Sequence, residues 1–517
     1  MMLKRILYLV CSLLLTQAIS SYAAAPGQEL LLFYSNDVRG ETEPCGCQPN
    51  QLGGLSRKAF QFHTIAKDEA KPHLTLDAGE LLFKAEAIRS GLATQDTMAA
   101  ETIVKAYSRM GYQAVAIGSR DLSAGIEFLR TVSHGATFSW LSANLVDQKT
   151  RQPIFPASIR LQAGAIQATV IALTGPAELP AGERATILPW DQVLPGLLKQ
   201  TAEAKDLIIL LSNLPAAENE RIAKGSNAIH LIIQSGDNAG TISSEPVNNT
   251  VLVNTATLGK EIGIMAINWQ PGNRWGAPRA ELLASKRAAM DGLQWQLSKY
   301  QKDPDPIAAL QGQPERLKAY QLLLGREQEL QAEIAALDQE VAAKGTVDEP
   351  SSFRNRLLTM VDSLPTEPDI LALSDQLVRA INRMGQEQAK QPVKEDPRYL
   401  GAQACGPCHA AELAAWQRTK HAGAYTTLSE KKQQFNSNCL PCHVTGVGME
   451  HREASLTVAA NRRGVSCEAC HGPGHLHAKD PKANPLTGRP EVSVCQGCHA
   501  PPHDISFDYG ERIKRVH

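Results

Sequence analysis

The sequence predicts an α/β domain, then a helical segment, then a small and mainly helical domain, along a chain of 517 residues. Three observations lead to this prediction. Short apolar runs alternate with segments of helical period up to about residue 269. The composition then turns to Ala, Leu, Gln, Glu and Lys up to residue 391, which favours long helices. Four Cys-x-x-Cys-His motifs follow in the remaining residues.

Residues 1–25 have the pattern of a secretory signal peptide. Lys4 and Arg5 precede an apolar stretch, and a patch of small residues ends at Ala25. The apolar stretch is shorter than the ~20 residues that a spanning helix needs, so an uncleaved anchor is the weaker interpretation. We therefore expect a periplasmic or otherwise exported protein with no stable membrane span after signal cleavage.

The α/β domain is expected over residues 26–275. Its predicted strands are the apolar runs at residues 30–34, 73–77, 114–117, 168–173, 207–211, 229–233 and 264–268. Runs of this length, bounded by turn residues, are typical of buried strands with helices between them.

Residues 276–391 are expected to form a helical linker or hairpin. The spacing of Leu330, Ile334, Leu337 and Val341 alternates between four and three, as in a packed helix seam. A hairpin with a helix over residues 287–302 would cover this seam, and a third helix is predicted over residues 369–384. A spacer or dimerisation arm is a simpler role for such helices than catalysis.

The domain over residues 392–517 contains the four motifs. They are Cys405-Gly-Pro-Cys408-His409, Cys439-Leu-Pro-Cys442-His443, Cys467-Glu-Ala-Cys470-His471 and Cys495-Gln-Gly-Cys498-His499. Two thiols one helical turn apart can bind the two vinyl groups of one porphyrin, and the adjacent histidine can then bind the iron. Structural zinc is the alternative, but zinc does not require a histidine directly after each pair. The motifs predict four covalently bound haem c groups, with His409, His443, His471 and His499 as proximal iron ligands.

Six further histidines in this domain are candidates for the sixth iron ligand. They are His421, His451, His475, His477, His503 and His517. A second imidazole saturates the iron and makes an electron carrier, whereas an open position admits small molecules.

This domain resembles the tetrahaem cytochrome c family that accepts electrons from hydroxylamine oxidoreductase in ammonia oxidisers. The resemblance covers residues 399–503 and includes Trp416, His421-Ala-Gly-Ala-Tyr425 and Gly464-Val-Ser-Cys-Glu-Ala-Cys-His-Gly-Pro-Gly474. It implies stacked haem pairs, mostly with two histidine ligands, and leaves room for one five-coordinate iron. His421 and His477 are the preferred distal ligands.

The first domain resembles the metallophosphoesterase part of the 5′-nucleotidase family. The matching segments are Tyr34-Ser-Asn-Asp-Val-Arg-Gly40, Leu76-Asp-Ala-Gly-Glu80, the stretch from Met110 to Asp121, Leu141-Ser-Ala-Asn-Leu145 and Leu258-Gly-Lys-Glu-Ile-Gly263. The resemblance implies a four-layer α/β sandwich.

The metal ligands of that family are largely replaced in this chain. Asp37 is retained. Arg39 occupies the position of a histidine, Glu80 occupies the position of the bridging aspartate, and Ser119-Arg120 occupies the position of an Asn-His pair. Ser212 and Asn213 stand where a later histidine is usual, and Ser235-Gly-Asp-Asn238 replaces Gly-His-x-His. Since two metal ions need all these ligands, no dimetal centre is expected.

The replacements suggest a different site. Arg39 and Arg120 would favour an anion, because guanidinium groups bind oxyanions through paired hydrogen bonds. Cys45 and Cys47 lie nearby in sequence and would be reactive as thiols beside these arginines. The hypothesis is a thiol redox site formed by these four residues for a small sulfur or nitrogen anion. The alternative is a structural cross-link within the loop or an adventitious metal-binding site.

The leading functional prediction is a periplasmic electron-transfer protein whose phosphoesterase-like domain serves as a partner or anion-binding module. The alternatives are an oxidoreductase acting at Cys45 and Cys47 or at an open haem, and a phosphoesterase fused to a cytochrome. Redox proteins are the expected partners, with a small anion as a substrate. The net charge of −1 argues against nucleic acid, which usually requires a clustered basic excess.

Overall fold

A computed structural model describes residues 28–44, 51–88, 93–201, 205–236, 245–300, 304–344, 349–390, 396–446, 457–500, 504 and 506–516. The predicted signal peptide lies outside the described residues. The chain divides into two compact units. One comprises Met1–Leu30, Gly164–Ile166 and Ala266–Arg354, and the other comprises Leu31–Ala163, Gln167–Met265 and Asn355–His517.

Thirteen strands are found in the described residues. They are β1 (Gln28–Ser35), β2 (His73–Asp77), β3 (Ala114–Ala116), β4 (Ser139–Leu141), β5 (Leu145–Asp147), β6 (Ser158–Ala163), β7 (Ile166–Leu173), β8 (Ala185–Ile187), β9 (Leu207–Ser212), β10 (Leu231–Gln234), β11 (Val251–Val253), β12 (Glu261–Trp269) and β13 (Ser352–Thr359). Each of the seven apolar runs named above overlaps a strand, so that part of the prediction is confirmed, although residues 117, 229 and 230 lie outside the strands.

The strands form two large sheets. The first has the order β13-β12-β1-β2-β3-β4, and the second has the order β11-β10-β9-β7-β6. β5 and β8 form a separate antiparallel pair. Strands β1 to β4 pair in parallel, with Leu31 opposite His73 and Leu76 opposite Ala114. Strands β7, β9, β10 and β11 also pair in parallel.

Helices cover these sheets because the central strands are apolar on both faces. All five residues from Leu207 to Leu211 are buried. Helices α1 (Leu55–Glu69), α2 (Ala93–Arg109) and α3 (Ile126–His134) follow strands of the first sheet. Phe62 of α1 packs against Phe33 of β1, with ring centres 4.9 Å apart. Helices α4 (Leu194–Thr201) and α5 (Ala216–Gly225) contribute Leu194 and Ile222 to the core of the second sheet.

The helical segment contains the expected hairpin. Helix α6 (Arg279–Ser298) contacts α8 (Pro314–Lys344), and the short α7 (Pro306–Ala309) lies between them in sequence. Met290, Leu293 and Leu330 belong to the shared core. Lys286 and Glu333 form an ion pair across the hairpin with an N–O distance of 2.6 Å. A further helix, α9 (Pro368–Gln388), matches the third predicted helix.

The sequence analysis did not anticipate strand β13 between these helices. Its segment Ser-Phe-Arg-Asn-Arg-Leu-Leu-Thr is only partly buried, and it lies at the edge of the first sheet. An edge strand of this kind has a weak apolar signal, so the composition of the surrounding helices dominated the prediction.

The last part of the chain forms short helices joined by loops. They are α10 (Ala402–Cys405), α11 (Ala410–Trp416), α12 (Ala424–Glu430), α13 (Leu440–His443), α14 (Cys467–His471), α15 (His475–Lys479), α16 (Val492–Gln496) and α17 (Tyr509–Arg512). Its apolar cluster is small and is built around Leu428, Leu440 and Val458. Within the described ranges, the structure contains no helix with the length and apolar character needed to cross a bilayer.

Candidate functional site

Each Cys-x-x-Cys-His motif lies on or beside a short helical turn. In the first and fourth motifs, the N–H of the histidine donates to the carbonyl of the first cysteine, at 2.9 Å for His409 and 2.8 Å for His499. This turn puts the imidazole next to both thiols of its own motif. The eight motif cysteines, all within the described residues, form no disulfide.

The motifs lie in adjacent pairs. The thiol of Cys405 hydrogen-bonds with Cys467, and burial together with the charge of Cys467 raises the pKa of Cys405 to about 11. In the same way, a hydrogen bond with Cys442 raises the pKa of Cys498 well above its usual range. The first motif is therefore next to the third, and the second is next to the fourth. Stacked haem pairs would require this arrangement.

Two of the motif histidines face a second imidazole. The ring centres of His409 and His477 are 6.4 Å apart, and those of His421 and His499 are 6.0 Å apart. Because a metal–imidazole nitrogen bond is about 2 Å long, two imidazoles on one iron have ring centres about 6 Å apart. The spacing of both pairs therefore fits an iron held between two histidines. The two preferred distal histidines are those that the structure brings to a proximal histidine.

The orientation of four imidazoles is fixed through Nδ1. His443 donates to the carbonyl of Ala424 at 2.7 Å, His471 to that of Thr487 at 2.5 Å, and His477 to that of Asn484 at 2.9 Å. Nδ1 of His499 donates to the Asp504 carboxylate at 2.9 Å. Metal-binding histidines usually donate their other ring N–H to such a group, which leaves Nε2 for the metal.

The surface around the motifs also fits a porphyrin. Among the described residues, eight large apolar side chains are exposed, and four of them lie close in sequence to the motifs or their candidate ligands. These four are Leu400, Leu476, Val492 and Val494. A planar apolar group held by the neighbouring thiols would cover such side chains and remove their apolar surface from water.

His443 has a different environment from His409 and His499. No imidazole of the described ranges stands at a comparable ring distance from it. The candidate ligands His451, His503 and His517 lie outside the described residues, as do Cys45 and Cys47.

A cavity of 1730 Å³ adjoins the second, third and fourth motifs. Single small-molecule sites usually measure about 300–1,000 Å³, so this cavity is larger than such a site. Cys442 and Cys498 line it. The loop from Gly40 to Pro44 and residues of helix α9 line it as well. The motifs and the first sheet's domain thus share one cavity.

That loop leads to the remodelled metal site at the carboxyl ends of the parallel strands. Arg39 donates from Nε and Nη2 to Oδ1 of Asp37, at 2.9 and 2.7 Å. Oδ2 of Asp37 accepts from Asn36 at 2.8 Å and from the N–H of Gly236 at 2.9 Å. Burial raises the pKa of Asp37 to about 6, although the Asn36 and Arg39 contacts oppose this rise.

Glu80 is paired in the same way. Its Oε2 accepts from Nη1 of Arg120 at 2.8 Å, and its Oε1 accepts from the N–H and the hydroxyl of Ser119 at 2.9 and 2.7 Å. Asn213 also binds the Ser119 N–H at 2.9 Å through its side-chain oxygen. The structure therefore brings together Asp37, Arg39, Glu80, Ser119, Arg120 and Asn213.

This donor set does not fit two metal ions. The carboxylate oxygens of Asp37 and Glu80, which a metal ion would need as ligands, accept hydrogen bonds from guanidinium groups and other donors. No imidazole lies beside them within the described part of the site. The described part of the chain contains no cluster of three or more His, Cys, Asp or Glu side chains that could hold a metal ion. The arginines thus supply the positive charge that balances Asp37 and Glu80.

The backbone of the site keeps an unusual geometry. Asp37, Arg39 and Glu80 have positive φ angles of 54°, 51° and 60°. Residues other than glycine rarely adopt this region, and such strain persists where the surrounding structure fixes it, typically at functional sites. The backbone is therefore strained at the residues whose carboxylates pair with the two arginines.

Two contributors to these sites were not predicted from the sequence. Asp504 binds His499, and a carboxylate five residues after a motif histidine is the only local signal for it. Gln95 binds the turn before the second motif, donating to the Phe435 carbonyl at 2.7 Å and accepting from the Ser437 N–H at 3.0 Å. Nothing near Gln95 in sequence indicates this contact.

Comparisons with known proteins agree with the two resemblances. Residues 404–472 match the family model described as cytochrome c554 and c-prime. A cytochrome c-554 from Nitrosomonas europaea is 31% identical over 99 residues, which are 16% of this chain and 42% of that protein. A 5′-nucleotidase from Vibrio vulnificus is 28% identical over 247 residues, which are 45% of this chain and 43% of that protein.

Two solved structures can be superposed on larger parts of the chain. A 5′-nucleotidase precursor from Thermus thermophilus has a TM-score of 0.45 at 14% identity, covering 76% of this chain and 68% of that one. The sulfate thiohydrolase SoxB of the same organism has a TM-score of 0.46 at 14% identity, covering 69% and 62%. The chain spans less than half the length of the curated relatives reported above. The chain joins a region similar to 5′-nucleotidases to a C-terminal segment similar to cytochrome c554.

Proposed function

We propose that this chain is an exported multihaem c-type cytochrome that transfers electrons, with a phosphoesterase-like domain that no longer holds two metal ions. The observation that carries the proposal is the pair of imidazole couples, His409 with His477 and His421 with His499. Each contains the histidine of a Cys-x-x-Cys-His motif and lies at the spacing of two ligands on one iron.

In this proposal each motif holds one haem c through its two thiols. The haem, when bound, supplies reversible one-electron chemistry at its iron. The chain's own residues would set its surroundings: the motif histidine would bind the iron, and in two of the four sites a second imidazole would bind it as well. A backbone carbonyl or a carboxylate holds each anchored ring in place. An iron held by two imidazoles would favour electron transfer over binding of small molecules.

The first domain is proposed to be a partner or anion-binding module with a four-layer α/β sandwich fold. Its two large sheets, each with parallel central strands, and their covering helices support this interpretation. Arg39 and Arg120 are bound to carboxylates, so an incoming anion would have to compete with Asp37 and Glu80. This region extends over residues 26–275, and the haem domain extends over residues 392–517.

The proposal is tested on the full chain produced in a host that attaches haem c. We expect four haems per chain by mass and by pyridine haemochrome assay, with low-spin spectra for most of them. His477→Ala and His421→Ala should each convert one haem to a high-spin form, whereas the exposed His134→Ala should change nothing. Absence of covalent haem, or unchanged spectra in both ligand variants, would refute the proposal.

A second candidate function is an oxidoreductase for a small sulfur or nitrogen anion. The environment of His443 favours it, since no described imidazole faces that ring. Pro44 and Gln51, which precede and follow the segment with Cys45 and Cys47, line the same cavity as His443. Either an open iron at His443 or the two cysteines would then be the reacting site.

The two functions differ in how the reduced protein responds to such anions. An enzyme would be reoxidised by one of them, and Cys45→Ser with Cys47→Ser would abolish that reaction if the thiols are required. Gln51→Ala is the matched control in the same loop. A carrier would show no anion-driven reoxidation. Metal analysis with a nucleotide-hydrolysis assay tests the remaining alternative, a phosphoesterase fused to a cytochrome.

A further inference from the structure

Asp504 gives His499 a carboxylate at Nδ1, where three other anchored histidines have a carbonyl. His443, His471 and His477 each donate Nδ1–H to a neutral backbone carbonyl. His499 donates to a carboxylate, with 2.9 Å between Nδ1 and Oδ2 of Asp504. Among the described residues, the acceptor at Nδ1 therefore distinguishes His499 from these three rings.

The carboxylate is held firmly in this position. Asp504 is 8% exposed, and its N–H donates to the carbonyl of Ala500 at 3.0 Å. The N–H and the hydroxyl of Ser506 donate to Oδ1 at 3.3 and 3.4 Å, which leaves Oδ2 for His499. Arg512 approaches the same Oδ2 at 3.5 Å from a more exposed position.

The ring of His499 is also fixed from its flat side. Phe507 stacks on it with ring centres 5.2 Å apart and an angle of 17° between the planes. The imidazole is therefore confined between Asp504, Phe507 and the facing His421. These contacts oppose rotation of the ring away from the carboxylate.

A carboxylate partner makes an imidazole a stronger electron donor than a carbonyl partner does. The N–H bond is polarised toward the anion, and the basicity of the other nitrogen rises. A more basic ligand stabilises ferric over ferrous iron, and hydrogen bonding around the ligands is one of the means by which proteins tune haem potentials.

We propose that Asp504 is a positioning residue that makes the iron bound by His499 harder to reduce than it would be with a carbonyl partner. This inference rests on the proposed bis-histidine haem at His421 and His499. Reduction of that iron adds one electron, supplied by dithionite in the test below, and makes or breaks no bond in the chain.

The test is an EPR-monitored redox titration of the full four-haem protein. In Asp504→Asn an acceptor oxygen remains but the charge is lost, so one low-spin signal should change and its midpoint potential should become more positive. The other three potentials should stay in place. Asp504→Glu keeps the carboxylate and should shift the potential less than Asp504→Asn. Haem content is measured for every variant.

Asp508→Asn is the matched control. Asp508 carries the same charge four residues later, and its side chain accepts from the N–H of Glu511 at the start of α17. If Asp508→Asn shifts the midpoint potential as much as Asp504→Asn does, the effect comes from net charge alone and the inference is overturned. Unchanged midpoint potentials in Asp504→Asn would also overturn the inference, as would an Asp504→Glu variant with the same shift as Asp504→Asn. Loss of the fourth haem in Asp504→Asn would overturn it too, because Asp504 would then have a purely structural role. Absence of low-spin bis-imidazole signals in the unaltered protein would instead refute the proposed function.

Discussion

The guanidinium of Arg120 is bound to a carboxylate that has no access to water. Glu80 is 0% exposed, whereas the Arg120 side chain is 14% exposed. Removing the arginine leaves a buried charge without its counter-ion, and breaking such a pair usually costs about 3–5 kcal/mol. We expect Arg120→Ala to lower the free energy of unfolding by about 3 kcal/mol in chemical denaturation.

Arg326→Ala provides the control for this prediction. Arg326 is 49% exposed and pairs with Glu329, which is 67% exposed, so water already competes for both charges. Its removal should change the stability little. Equal stability of Arg120→Ala and the unaltered protein would contradict the view that the arginines balance the buried carboxylates of Asp37 and Glu80.

His230 should make the protein sensitive to acid. Burial lowers the pKa of His230 to about 4, and its Nδ1 accepts the N–H of Ile208 at 2.9 Å. The unfolded chain, with a pKa near the usual 6.5, binds the proton more readily, so stability is full above pH 6.5 and falls as the pH drops toward 4. The loss should reach about 3 kcal/mol.

The measurement is chemical denaturation between pH 4 and 7. His230→Asn keeps a hydrogen-bond acceptor but cannot take up the proton, so it should remove most of this pH dependence. His134→Asn, at the exposed end of α3, should keep the slope of the unaltered protein. A His230→Asn variant that loses stability as steeply as the unaltered chain would refute the assignment.

Among the helices, α9 connects the first domain to the haem-bearing segment. It contacts α1 and α2, and the ring of Phe435 lies directly against Gly385. A Cβ at Gly385 would stand 2.2 Å from Cγ of Phe435. We expect Gly385→Ala to destabilise the protein by about 1–3 kcal/mol, because the ring must shift in a packed region.

Gly292→Ala is the helical control. Nothing lies within 4 Å of the Cβ that it would introduce into α6. Alanine is the better helix former, so this variant should be about 0.5–1 kcal/mol more stable. Thermal melts of both variants give the comparison, and a Gly385→Ala protein as stable as Gly292→Ala would contradict the close packing of α9 on Phe435.

The elements that the sequence predicted are those with a strong local pattern. The central strands β7 and β9 are buried on both faces and therefore read as continuous apolar runs. The hairpin of α6 and α8 follows from its apolar seam. Short strands such as β4 and β8 have only three residues, and β13 is an edge strand with polar residues. Their pairing is decided by neighbouring strands, which no local pattern encodes.

Across the whole molecule, the functional sites differ in the same way: some follow from a local sequence pattern and others do not. The haem-binding residues stay a prediction from the sequence, which rests on the thiol and imidazole spacing that a porphyrin requires. His421 and His477 were indicated by resemblance, and the structure brings each to a motif histidine. The shared cavity was not predictable, since it depends on how segments distant in sequence meet, as Gln95 meets Phe435 across 340 positions.

Gln95 is the residue through which this long-range contact can be tested. It is 4% exposed, and its amide binds both the Phe435 carbonyl and the Ser437 N–H. Gln95→Ala would leave these backbone groups buried without a partner, at a cost of about 1–3 kcal/mol. Hydrogen exchange should therefore accelerate in residues 435–446, which contain the second motif, while strand β9 keeps its protection. The exposed Gln148→Ala should leave both regions unchanged. If residues 435–446 stay equally protected in Gln95→Ala, the contact does not hold the second motif against the first domain, and the shared cavity loses its main support.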